Sequence, residues 1–96
     1  MERLARYTVE IRPPESGWHE LQQATARARQ AADQLQSEGG RVRFLRSVFV
    51  PEDGACFFLY EGPSAQSVRA AAARAELDVV RVDVALRLDP KGEERT

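Results

Sequence analysis

The sequence predicts an α+β domain in which one four-stranded antiparallel sheet carries two helices on a single face, and three observations predict it. The hydrophobic period runs two, then 3.6, then two, and repeats that order once along the chain. Only Pro51, Glu52, Asp53 and Gly54 separate the two middle strands, so those strands form a hairpin. A length of 96 residues supports one hydrophobic core and not two.

The first strand covers residues 3–11, where Ala5, Tyr7, Val9 and Ile11 alternate with Leu4, Arg6, Thr8 and Glu10. Pro13 and Pro14 stop it, since neither can donate to a ladder. Ser16 stands where a helix N-cap belongs, and Glu20 puts negative charge in the first turn. From Trp18 to Ser37 the apolar stripe runs through Trp18, Leu21, Ala24 or Thr25, Ala28, Ala31 or Ala32, and Leu35. It is narrow and alanine-rich, so a neighbour can approach the helix closely. Gly39 and Gly40 end it. Residues 42–50 are β-branched and aromatic and read as the second strand. Pro51 and Gly54 suit a tight turn with a left-handed residue, and 55–61 return as the third strand. Ser64 caps a second helix whose apolar face is Val68, Ala71, Ala72 and Ala75. In the last strand, 80–88, Val80, Val82, Val84, Leu86 and Leu88 alternate with Arg81, Asp83, Ala85 and Arg87. Right-handed crossovers then give the strand order fourth, first, third, second. This is the ferredoxin-like βαββαβ arrangement, a domain over 1–89 with a flexible polar tail over 90–96.

Composition excludes several functions. A net charge of −1, from 14 basic and 15 acidic residues, argues against nucleic-acid binding by bulk electrostatics. One histidine, one cysteine and one methionine cannot build a cysteine–histidine zinc site, or a disulfide, within one chain. No apolar run approaches the ~20 residues of a membrane-spanning helix. The charged amino-terminal stretch does not read as a signal peptide, and an unpaired cysteine fits a reducing compartment, so a cytoplasmic protein is expected. The chain has no Ser-His-Asp set and no phosphate-cradling glycine loop.

Tyr7, Val9, Ile11, Leu45, Phe49, Phe57, Leu59 and the valine row are expected under the helices. The opposite face then presents Arg6, Thr8, Glu10, Phe44, Arg46, Val48, Cys56, Phe58, Tyr60, Arg81, Asp83 and Arg87. The other register, with Cys56, Phe58 and Tyr60 under the helices, stays open because residues 56–60 are apolar on both faces. An open face carrying Phe44, Val48, Phe58 and Tyr60 is too apolar for water, so a homodimer packed sheet to sheet is expected. Glu10, Phe44, Arg46, Phe58, Tyr60 and Asp83 become the candidate ligand-binding residues there. For Glu10, Arg46 and Asp83 the alternative is an ion-pair network. Cys56 reads as a small buried hydrophobe, or else as a metal ligand or a thiolate beside Arg46. His19, beside the apolar stripe, reads as solvated.

The stretch Arg43 to Asp53, then Cys56 to Glu61 and Ser64 to Arg69, resembles a family of small bacterial ferredoxin-fold proteins of unknown function with nickel-binding-protein-like members. The resemblance implies homodimers and, for some members, nickel. Glu10, Ser47, Cys56 and Tyr60 match its pattern, whereas Arg46 stands where members can carry histidine. Glu76, Leu77 and Asp78 replace the usual Gly-Leu-Pro. Two copies of Cys56 and Glu10 meeting across a dimer would supply four metal ligands. The expected function is therefore a homodimer that binds a small molecule or nickel at the sheet face, with no nucleic-acid or membrane partner. The alternative is a cofactor-free enzyme of the dimeric α/β-barrel type, monooxygenase- or lyase-like, using Arg46, Tyr60, Glu10 and Cys56 on a small organic substrate.

Overall fold

The computed structural model describes residues 4–15 and 17–85. Its elements are β1 (Ala5–Ile11), α1 (Trp18–Ser37), β2 (Arg43–Val50), a short 3-10 turn (Pro51–Asp53), β3 (Ala55–Gly62), α2 (Ala65–Arg74) and β4 (Val79–Val84). The sheet order is β2-β3-β1-β4, all neighbours antiparallel, as the ferredoxin-like arrangement requires. The expected cap at Ser16, the end of the last strand at Leu86 to Leu88, and the 90–96 tail lie outside the described residues.

Local chemistry explains the joints. Gly54 takes φ 60° after Pro51–Asp53 and closes the β2–β3 hairpin by donating its N–H to the Pro51 carbonyl, 3.1 Å away. The Ser64 hydroxyl accepts from the Ser67 N–H at 3.1 Å and so caps α2. The far end of α2 is tied back through two bonds: the Glu76 N–H donates to the Ala73 carbonyl and the Leu77 N–H to the Ala72 carbonyl. This closing pattern requires a left-handed residue at Glu76, which has φ 60°.

The core lies between the sheet and the helices. From α1 come Leu21, Ala24, Ala28, Ala31 and Ala32, and from α2 Val68, Ala71 and Ala72. The alanines among them let both helices sit low over the large residues of the sheet, Tyr7, Phe44, Phe58 and Tyr60. Val9 and Phe58 are fully buried, each contributing about 1.5–3 kcal/mol of transfer free energy. Arg27 donates to the Ala75 carbonyl at 2.9 Å, and Arg74 pairs with Glu38 at 3.0 Å, so the helices are also stitched to one another.

The faces of the sheet differ from the first expectation. Cys56, Phe58 and Tyr60 pair directly with Ile11, Val9 and Tyr7, and directly opposed residues share a face. With β1 inward at those positions, β3 must turn Cys56, Phe58 and Tyr60 under the helices, and Phe57 and Leu59 outward. Phe44 also turns inward although Phe49, five residues on, does the same. A bulge between Phe44 and Arg46 inserts Leu45 as an extra residue, so Phe44 opposes Tyr60 and Phe49 opposes Cys56. In β4 an irregularity opposite Glu10 and Ile11 pairs Val79 with Ile11 and throws Val80 out to 48% exposure. Of the valine row, Val82 is half-buried opposite Val9, while Val80 and Val84 are exposed.

Candidate functional site

The open face of the sheet is built in rows. One row runs Val48, Phe57, Glu10, Arg81 from β2 to β4, and the next runs Arg46, Leu59, Thr8, Asp83. Val48, Phe57 and Leu59 are half-buried and make an apolar half beside β2. The other half is polar: Arg81 Nε contacts Glu10 at 3.2 Å and Asp83 at 2.9 Å. Those contacts are largely exposed and hold the side chains in place more than they stabilise the fold.

Of the candidate residues, Glu10, Arg46 and Asp83 therefore share the open face, whereas Phe44, Phe58, Tyr60 and Cys56 lie on the other side of the sheet. Phe44 is packed edge-on against Tyr60 at 5.4 Å and tilted against Phe58 at 5.7 Å, so the three aromatic rings form the core. No substrate could touch Tyr60 or Cys56 together with Arg46 or Glu10, which removes the four-residue arrangement drawn for an enzyme. Burial pushes both the Cys56 thiol and the Tyr60 hydroxyl up from their ordinary pKa values, which keeps them protonated. The Tyr60 hydroxyl has no hydrogen-bond partner among the described residues.

The same geometry tests the metal. Cys56 is fully buried under the helices and Glu10 points from the opposite face, so the two cannot ligate one ion. Among the described residues no three metal-capable side chains come together. Glu10 and Asp83 offer hard oxygen donors only, and both already meet Arg81. His19, the chain's one histidine, sits in the exposed first turn of α1. This donor set does not fit nickel, which favours imidazole and thiolate.

A concavity, which the sequence did not single out, lies between α1 and β2. It is an open groove of about 590 Å³, lined by Trp18, Leu21, Thr25, Arg29, Ser47 and Phe49, among others. Its one signal in the sequence is Trp18, which the helical period places on the buried stripe and which is 64% exposed.

The family described as nickel responsive protein SCO4226-like matches residues 8–84 of this sequence. The chain belongs to the SCO4226-like family. The match takes in all of the fold from within β1 to the end of β4. Among solved structures, the crystal structure of SCO4226 from Streptomyces coelicolor A3(2) is similar, with a TM-score of 0.59 and 21% identity. The alignment covers 88% of this chain and 100% of that one. That likeness supports the ferredoxin-like fold. Nothing among the curated proteins matches the chain. Among the described residues no helix is long and apolar enough to cross a membrane.

Proposed function

We propose that this SCO4226-like chain is a homodimeric binding module that closes by packing the open sheet faces of two copies together, in the cytoplasm. The observation that carries the reading is the apolar patch of Val48, Phe57 and Leu59, drawn from two adjacent rows, on a sheet face that bears neither helix. A second copy of the same surface removes that patch from water with self-complementary shape. Charge supports the same partner. The Arg46 guanidinium, at the β2 edge, has no carboxylate partner among the described residues, and it shares a row with Asp83 at the β4 edge. A twofold axis along the strands lays β2 of one copy over β4 of the other, so each Arg46 meets the partner's acidic strip. Arg46, Glu10 and Asp83 then border the seam and are the groups that meet a small polar ligand held there.

Sedimentation tests this. The wild-type chain is expected as a dimer at micromolar concentration. Phe57→Glu, which buries a charge only in the dimer, is expected as a monomer with unchanged far-ultraviolet circular dichroism. A wild type that sediments as a monomer, or a Phe57→Glu variant that stays dimeric, ends the reading.

A further inference from the structure

The concavity between α1 and β2 lies on the helix side of the sheet, apart from the proposed dimer face. Trp18, Leu21, Thr25 and Arg29 follow one another at three- and four-residue spacing along one face of α1, and Ser47 and Phe49 face them from edge strand β2. The groove exists because its floor is made of small residues. Thr25 donates its hydroxyl to the Leu21 carbonyl at 3.0 Å and sits 3.0 Å from the Ser47 hydroxyl, so the floor is internally satisfied. The walls carry large apolar surface that the fold leaves in water, with Trp18 at 64% and Phe49 at 42% exposure. Isolated exposed apolar residues are ordinary, but two aromatics facing one concavity of this volume are the makings of a small-molecule site.

Charge decides the ligand class. Among the described residues, the lining holds one charged group, the Arg29 guanidinium, and no acid. Arg29 is held with its guanidinium carbon 5.2 Å from the centre of the Phe44 ring, and no carboxylate among the described residues pairs with it. A planar, pre-positioned fork with no carboxylate partner among the described residues suits a carboxylate ligand, which it meets bidentately. A cationic ligand is repelled, and a phosphate dianion calls for more positive charge than one arginine supplies. We propose that the α1–β2 groove binds a small aromatic carboxylate, its ring against Trp18 and Phe49 and its carboxylate on Arg29.

Trp18 is the only tryptophan in the chain, so its emission reports the groove directly. The probe is 4-phenylbutyrate, which does not absorb where tryptophan is excited at its red edge, compared with the neutral 4-phenylbutyramide. Wild-type protein is expected to give a saturable blue shift with the carboxylate, and to bind the amide about tenfold more weakly or worse. Arg29→Gln is expected to erase that preference, Arg29→Lys to keep part of it, and Phe49→Ala to weaken both probes alike. The proposal is overturned by a wild type that shows no saturable shift, by equal affinity for acid and amide, or by an Arg29→Gln variant that keeps the preference. A Trp18 signal that follows protein concentration and ignores the probe also overturns it, because the groove is then filled by a second copy. The wild-type comparison of acid with amide stands without any variant having to fold.

Discussion

Tyr60 is fully buried, and its hydroxyl meets no hydrogen-bond partner among the described residues. A hydroxyl taken out of water with nothing to bond costs about 1–3 kcal/mol, and its removal leaves the ring packing against Phe44 intact. Tyr60→Phe is therefore expected to stabilise the fold by about 1 kcal/mol, read as a higher urea midpoint at unchanged slope. The same substitution changes the response to alkali. Desolvation raises the Tyr60 pKa in the folded state, so the folded chain holds this proton more tightly than the unfolded chain does. That contribution is complete below the unfolded value of about 10 and is lost as the pH rises above it. The stability of Tyr60→Phe should fall less steeply than that of the wild type in this range. A destabilised variant, or parallel alkaline limbs, would count against the buried hydroxyl as described.

At the scale of the elements, the end of α2 holds the clearest strain. Glu76 occupies φ 60° because the Leu77 and Glu76 N–H groups must turn back onto Ala72 and Ala73, and a side chain there costs about 1–2 kcal/mol. Glu76→Gly is expected to stabilise by about 1 kcal/mol, raising the melting temperature by roughly 4–8 °C. An unchanged or lower melting temperature would mean that the turn is not strained. The order of elements was legible because each has its own period and its own stop, and Ser64 and Gly54 act as their residue types suggest. What did not show in the sequence was which way β3 faces. Cys56, Phe57, Phe58, Leu59 and Tyr60 are apolar on both faces, so alternation is silent, and only the pairing with Tyr7, Val9 and Ile11 decides. The bulge at Leu45 is hidden for a related reason: no glycine marks it, and it reverses the face of every later β2 residue relative to Phe44. The candidate site split along that same line, with Arg46, Glu10 and Asp83 on one side and the aromatic residues and Cys56 on the other.

For the molecule as a whole, the register decides how this chain can relate to nickel. A symmetric dimer doubles every ligand, so one cysteine and one histidine do not by themselves exclude a metal shared between copies. Packed sheets stand about 10 Å apart, and Cys56 points away from the open face into its own core. Two Cys56 sulfurs across the proposed seam would then be far beyond metal-bonding reach of about 2.3 Å from one ion. What the seam can gather is Glu10 and Asp83 from each copy, already beside Arg81 and near Arg46, and positive neighbours oppose a cation. Calorimetric titration with nickel is accordingly expected to show no saturable binding tighter than about millimolar, where a metal gains only about 4 kcal/mol. Cys56→Ala and Glu10→Gln should trace the wild-type curve. Saturable uptake near one ion per dimer that either substitution abolishes would require the two residues to meet, and so would overturn the placement of β3 as well as the expectation for the metal.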